Sequence, residues 1–408
     1  MKWLNENSRK FLENGYLLPD VTPEKRIREI ADKAEEILKK DGFPDKFYGY
    51  MSEGFYSLAS PIWSNFGYKR GLPISCFGSY ISDDMGSILY TQAEVGMMSK
   101  LGGGCSAYFG EIRARGAAIK NEGNASGAVH FMELFETLIS VVSQGSVRRG
   151  HLSPYLPIEH GDVEEFLKIG TEGHPIQKLT HGVTVGDEWM QSMIDGDEEK
   201  RALWAKVIQA RNEVGYPYIM FTDNANKNTV DVYKDKGHKI YASNMCSEIM
   251  LPSSDEWSFV CCLSSMNLAL YDKWKNTDAV ETLTYFLDAV MQDFIDKLEI
   301  FKNSEEREDR DRYEFMKRAY KFAKENRALG LGSLGWHSLL QSRMLPFESE
   351  EAKYVTKTDF QLSSEMGIKG FPSVVIKLGK QFYMIANGYR EVADLEEVYK
   401  NIQKEAIK

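Results

Sequence analysis

Between residues 22 and 41 the apolar positions Ile27, Ile30, Ala31, Ala34, Ile37 and Leu38 recur at three- and four-residue intervals, which predicts one helix with a buried face. Thr22 can cap it, Pro23 suits its first turn, and Gly42 is the expected stop. Residues 46–66 are rich in Tyr, Phe and Trp and predict a packed helix and turn, or a segment that closes over a cleft. PISCFGSYI, within Leu72–Ile81, reads as a short buried strand that leads into a turn at Ser82–Gly86. Ile88–Lys100 is helical in pattern. The next stretch, LGGGCSAYFGEIRARG, opens with three glycines that disfavour a helix and let backbones approach closely. Residues 129–144 predict an apolar helix that ends in SQGSVRRGH. Further helices are expected at 198–214, 278–301 and 311–326, with a buried strand at Tyr218–Thr222 and a solvated helix start at Asn303–Arg312. Helices that alternate with short buried strands indicate a mostly parallel α/β architecture. The sequence shows no internal repeat and no low-complexity run.

Composition narrows the function classes. The 408 residues carry 60 acidic and 50 basic side chains, a formal net charge of −10. That argues against a nucleic-acid partner bound through a basic surface, and leaves room for a local phosphate pocket. With 43% hydrophobic and 27% charged residues, wholesale disorder is excluded. No run approaches the length of a membrane-spanning helix, and the polar start MKWLNENSRKFLENGY lacks a signal-peptide core, so a cytoplasmic protein without a membrane partner is expected. The five cysteines, at 76, 105, 246, 261 and 262, are odd in number and dispersed, unlike a secreted disulfide framework. There is no CxxC pair, and the seven histidines show no ligand spacing, so no metal site is expected.

SNMCSEI spaces Asn244, Cys246 and Glu248 two residues apart, which in an extended strand would put them on one face. An amide can hold a substrate hydroxyl, a sulfur can react, and a carboxylate can take a proton. On its own this spacing favours an edge strand whose polar residues face water. The context shifts the balance. Ser60–Pro61, Ser75–Cys76 and Cys261 also fall near predicted strand ends, where parallel α/β folds place their sites.

Seven segments then occur in order between Leu58 and Leu340: LASPIW, GLPISCFGSYISD, GGGCSAYFGEIRARG, SVVSQGSVRRG, SNMCSEIMLP, VCCLSSMNL and ENRALGLGSLGWHSLL. Together they resemble the large, catalytic subunit of ribonucleotide reductase of the class I type. The resemblance implies an α/β fold with a helical region over 1–55 and part of a ten-stranded α/β barrel over 56–353. It implies that Cys246 becomes a transient thiyl radical, that Glu248 takes the 3′-hydroxyl proton, and that Asn244 binds the sugar hydroxyls. Cys76 and Cys261 correspond to the redox pair, which fits the need for a two-electron dithiol donor near the reacting carbon. Ser60 and Ser75 correspond to substrate-contacting positions. Cys262, one residue on, is read as packing, and Cys105 as a buried filler.

The resemblance also implies an allosteric site. Asp83 corresponds to the carboxylate that holds the sugar of a deoxynucleoside triphosphate effector. Arg113 and Arg115 lie in its phosphate neighbourhood. Gln144 and Arg148 lie in the loop 143–150 that joins effector and substrate sites. The alternative reading of that loop is a solvent-exposed basic turn. The implied partners are a small, metal-containing subunit that supplies the radical, a second copy of the catalytic subunit, a ribonucleoside diphosphate substrate, and thioredoxin or glutaredoxin as reductant. Effectors are dNTPs and ATP, and no cofactor is expected in this chain itself. The cobalamin-dependent branch shares the N-x-C-x-E segment and the glycine-rich loops.

Two departures accompany the resemblance. No N-terminal nucleotide-binding cone is expected, and the reductase pattern fades near Lys353. Residues 354–408 are instead similar to the C-terminal part of a DsbA-like thioredoxin fold: Phe371–Pro372, a strand, a turn at Leu378–Lys380, a strand, and a helix at Leu395–Ile407. That segment has no cysteine, which counts against a thioredoxin-like redox activity. The chain thus reads as two incomplete folds joined near 353–354. The alternative to an active reductase subunit is a catalytically inactive dNTP-binding remnant or a chimeric chain.

Overall fold

The computed structural model describes residues 1–353 except 121–122 and 146, and the backbone of two further strands, Ser373–Leu378 and Gln381–Asn387. The strands up to residue 353 are β1 (Tyr56–Leu58), β2 (Cys76–Tyr80), β3 (Gly104–Tyr108), β4 (Ala118–Ile119), β5 (Gly123–Asn124), β6 (Leu152–Pro157), β7 (Gly182–Val185), β8 (Tyr218–Phe221), β9 (Phe259–Asn267) and β10 (Leu329–Leu334).

The helical start builds a platform for the sheet. Thr22 accepts the Lys25 N–H, and the helix Pro23–Leu38 buries Ile27, Ile30, Ala31 and Ala34 as the spacing predicted. It stops earlier than expected, at Lys39 in a left-handed conformation, and Gly42 opens the next helix, Phe43–Glu53. Arg26 is fully buried in this layer. Its guanidinium donates to the carbonyls of Ile62, Trp63 and Phe66 at 2.7–3.0 Å. Those carbonyls close the C-terminal end of the helix Ser60–Asn65, where a cation is favoured, so a buried arginine fixes the helix that carries Ser60.

β2, β3, β6, β7 and β8 lie side by side in chain order and are all parallel. Helices Met85–Lys100 and Ala128–Val141 make the first two crossovers, as parallel pairing requires. This half of the sheet matches the parallel expectation. The other half does not, because β9 runs antiparallel to β2 and β1, and β10 runs parallel to β9.

Side-chain alternation gives the sheet two different faces. Phe77 packs on Phe294 of the helix Ala279–Asn303, and the Cys262 thiol donates to Leu287 O of the same helix at 3.4 Å. Cys105 is fully buried beside Val95 O of the helix Met85–Lys100. Cys105 and Cys262 therefore fill the helix-covered face. The inner face carries Tyr108, Tyr155 and Met220, which form one cluster with Ile240 and Ala242. Tyr241 stacks near Tyr80 and Tyr108 there, so the segment that leads to residue 250 crosses the inner face.

Within the 354–408 segment, Ser373–Leu378 and Gln381–Asn387 pair in antiparallel register, and residues 379–380 of the expected turn lie outside the described residues. Phe371–Pro372 and the helix expected at Leu395–Ile407 lie outside the described residues.

Candidate active site

Cys76 and Cys261 sit directly opposite each other where β2 meets β9 in antiparallel register. Both are buried and both lie on the inner face, in one small cluster with Ile249. Opposed residues of an antiparallel pair have Cα atoms within the separation a disulfide spans. Two residues 185 positions apart are thus neighbours because β9 returns to β2. Gly330 on β10 keeps room for one of the sulfurs, since a Cβ there would lie 2.7 Å from Cys261 Sγ.

The strand expected for residues 244–248 is not formed. The segment is a turn in which Ser247 N–H donates to Asn244 O, Asn244 N–H donates to Ile249 O, and Ser247 takes φ 68°. Asn244 Oδ1 accepts the N–H groups of Glu248 (3.0 Å) and Ile249 (2.9 Å). The asparagine side chain thus replaces the ladder partners a strand would need, a habit of Asn at turns. The three residues do not share one face. Asn244 is buried, whereas Cys246 and Glu248 are exposed at the turn.

The turn nevertheless brings them to the cysteine pair. Asn244 Nδ2 donates to Cys76 Sγ at 3.5 Å. The Tyr155 hydroxyl donates to Asn244 O at 3.0 Å and anchors the turn on β6. Gly104 leaves space for Met245, whose Cε would lie 3.2 Å from a Cβ at that position. Burial pushes the Cys76 thiol up to about 11; the Asn244 hydrogen bond and the Arg148 charge oppose this, and Glu248 and Cys246 add to it. Burial also pushes the Cys261 thiol up, helped by Cys76 and Glu248. Partial burial and Glu248 push the Cys246 thiol up, while Arg148 pulls it down.

Ser60 and Arg148 complete this group. Arg148 Nη1 donates to Ser60 Oγ at 3.3 Å, and its burial lowers its own pKa while Cys76 and Cys246 raise it. Arg148 therefore lies beside the thiols rather than in the exposed basic turn. Gln144 Nε2 donates to Asn65 Oδ1 at 2.9 Å, so both ends of the loop dock on the helix Ser60–Asn65. Gly102, at φ +100°, makes this approach feasible; a Cβ there would lie 2.3 Å from Gln144 Oε1. Ser75 Oγ is buried next to Cys76 without a hydrogen-bond partner among the described residues. A hollow of ≈660 Å³ opens beside Ser60, lined also by Tyr16, Ser57, Trp63 and Asn267.

The expected effector residues form a separate place. Asp83 accepts from the Arg113 backbone N–H at 3.1 Å and from its Nε at 2.7 Å. Arg115 is held by Glu165 at 2.8 Å, and its N–H donates to Asp162. Both arginines thus already face carboxylates. Sequence reasoning missed Tyr155, Asn65 and Arg26. Each reaches the site through hydrogen bonds to residues far away in sequence, and no local pattern signals that. Among the described residues, no cluster of His, Cys, Asp and Glu forms a metal site, and no helix is long and apolar enough to cross a membrane.

The family described as "Ribonucleotide reductase, barrel domain" matches residues 74–200 and 197–369. The second match runs past Lys353, where the sequence pattern had faded. The chain is 32% identical over 341 residues to the putative ribonucleoside-diphosphate reductase large subunit of Frog virus 3 (isolate Goorha), covering 79% of this chain and 57% of that protein. It is 26% identical over 432 residues to ribonucleoside-diphosphate reductase subunit alpha of Bacillus subtilis (strain 168), covering 90% and 59%. The solved Actinobacillus ureae class Id ribonucleotide reductase alpha subunit superposes with a TM-score of 0.82 at 53% identity, covering 90% of this chain and 67% of that one. The chain therefore spans somewhat more than half the length of these two curated relatives, and it belongs to the ribonucleotide reductase large-subunit family.

Proposed function

We propose that this chain is the site-bearing part of a catalytic subunit that reduces ribonucleoside diphosphates to deoxyribonucleoside diphosphates. The observation that supports this most is the opposition of Cys76 and Cys261 beneath the turn that carries Asn244, Cys246 and Glu248. Asn244 and Glu248 would orient the ribose hydroxyls. A thiyl radical on Cys246 removes the 3′ hydrogen, and Glu248 takes the 3′-hydroxyl proton. The 2′ hydroxyl leaves as water with a proton from the dithiol. Cys76 and Cys261 supply two electrons and close to a disulfide, and Cys246 returns the hydrogen to the 3′ carbon. Dithiol and ribonucleotide thereby become disulfide, deoxyribonucleotide and water.

In this reading the radical comes from a small metal-containing subunit, and thioredoxin or glutaredoxin reopens the disulfide. Ser60 and Arg148, joined by a hydrogen bond at 3.3 Å, would face the substrate. Asp83, Arg113, Arg115 and Gln144 would serve the dNTP or ATP effector across a homodimer. The test is formation of deoxycytidine diphosphate from cytidine diphosphate, with a radical-bearing small subunit and dithiothreitol. Product that disappears in Cys246→Ser is the expected result. Binding of a deoxynucleoside triphosphate without any product would instead support the binding-remnant reading.

A further inference from the structure

A buried polar cluster lies behind the cysteine pair, on the helix-covered face. Continuing the β2–β9 register from Cys76–Cys261 through Phe77–Val260 and Gly78–Phe259 puts Ser79 opposite Ser258, and their hydroxyls lie 3.3 Å apart. The carboxylate of Glu94, on the helix Met85–Lys100, accepts from both: 2.8 Å from Ser79 and 2.8–2.9 Å from Ser258. Arg318, on the helix Lys317–Asn326, closes the group. It donates to Glu94 at 2.9 Å, to Ser258 Oγ at 3.0–3.1 Å and to the Tyr80 carbonyl at 3.2 Å. Glu94 is 0% exposed and Arg318 6%.

We infer that Glu94, Arg318, Ser79 and Ser258 form a positioning clamp that fixes the β2–β9 register and so selects Cys261, not Cys262, as the partner of Cys76. The inference rests on the redox-pair reading of Cys76 and Cys261. The ladder between the two strands is only three pairs long, and one of its positions is Gly78, which contributes no side chain. A slip of one residue exchanges the faces of a strand. In β9 such a slip would withdraw Cys261 and present Cys262 to the inner face. Burial in the helix layer alone does not prevent this, because both residues are small thiols. The clamp does, because it ties the residue three places from each cysteine to one ion pair. A buried pair retained for register rather than stability is its best-attested use. None of the four side chains shares the inner face with the thiols, so they position and do not react.

The test oxidises the full chain with glutathione disulfide, which takes two electrons and two protons from the thiols and becomes two glutathione molecules. With the free thiols alkylated, tandem mass spectrometry that fragments the linked peptide between the adjacent Cys261 and Cys262 then reads which sulfurs are joined. Wild type is expected to give Cys76–Cys261. Two variants probe the clamp: Ser79→Ala with Ser258→Ala, which keeps the ion pair, and Glu94→Leu with Arg318→Met, which replaces it with apolar bulk. Apolar replacement of a buried pair is often neutral for stability, so folding and pairing separate. The ratio of Cys76–Cys261 to Cys76–Cys262 is expected to fall about tenfold, as small misplacements of reacting groups typically cost at least that much. An unchanged ratio in either folded variant overturns the clamp. Absence of the Cys76–Cys261 disulfide in wild type overturns the redox-pair reading instead. Should the apolar variant fail to fold, the double-serine variant decides.

Discussion

Asn244 couples the turn to the strand thiol, with Nδ2 donating to Cys76 Sγ at 3.5 Å while Oδ1 accepts the backbone N–H groups of Glu248 and Ile249. One buried amide therefore shapes the turn that displays Cys246 and Glu248 and also touches one member of the cysteine pair. A bent turn reaches the pair better than a straight strand would, because its tip stays exposed while its foot is buried.

The two ends of that amide can be separated by substitution. Asn244→Ala leaves two N–H groups without their acceptor, each worth about 1–3 kcal/mol when buried. We expect a loss of roughly 2–6 kcal/mol in urea unfolding. Asn244→Asp keeps the acceptor but places a carboxylate against Cys76, so the turn should persist while the thiol pKa rises further. The check is the pH dependence of Cys76 alkylation, followed by mass mapping.

Cys76 also ties stability to alkaline pH. Its thiol sits at about 11 in the folded chain against an ordinary value of 9.0, with burial as the main cause. Above pH 9 the unfolded chain has lost this proton and the folded chain has kept it, so the unfolded state binds fewer protons and stability falls as pH rises. The contribution is fully present below pH 9 and is lost as pH rises through about 11, some 3 kcal/mol in all by ~1.4 kcal/mol per unit. Urea midpoints between pH 8 and 11.5 should fall less steeply in Cys76→Ala. Equal slopes in the two proteins would refute the assignment.

Asp83 and Arg113 invite a different experiment. Their side chains are 34% and 37% exposed, so the pair is worth about 0.5 kcal/mol or less after solvent screening. Asp83→Asn should hardly move the melting temperature of the free chain. It should abolish the stabilisation conferred by a deoxynucleoside triphosphate, read as the shift in melting temperature with each of the four dNTPs. A full shift in the variant would remove Asp83 from the effector site.

Sequence made the periodic parts legible. Ile27, Ile30, Ala31 and Ala34 lie on one buried helix face, and β2 and β8 form where their apolar runs predicted. The cysteine pairing was legible only through the ordered motifs, since nothing local joins Cys76 to Cys261. The N-x-C-x-E spacing misled, because period-two alternation says nothing about an asparagine that satisfies its own turn. For Arg148 the residues alone favoured an exposed basic turn, and only the resemblance put it in the loop 143–150. A glycine-flanked basic run looks solvated until Gly102 and Gly71 are seen to admit Gln144, which draws the loop inward. The Glu94–Arg318 pair gave no signal, since single charges within helices look like surface residues until the strands between them are placed.

Gly330 offers the sharpest steric test of the cysteine pair. A Cβ at this position would lie 2.7 Å from Cys261 Sγ, 3.2 Å from Leu263 Cδ1 and 3.3 Å from the Cys262 carbonyl. The sulfur is buried and short-tethered, so it has little room to yield. Gly330→Ala should therefore cost about 1–3 kcal/mol, the usual range for overpacking a close-packed interior. It should also displace Cys261 from Cys76 and slow closure of their disulfide. Gly332→Ala on the same strand is the control. Its Cβ meets only the Ser265 hydroxyl at 2.8 Å among close contacts, and a hydroxyl can rotate away. We expect the control to unfold within about 0.5 kcal/mol of wild type, as substitutions free of buried conflict usually do, and to close the disulfide at the wild-type rate. Equal closure in both variants would mean that Cys261 does not depend on the space β10 leaves for it.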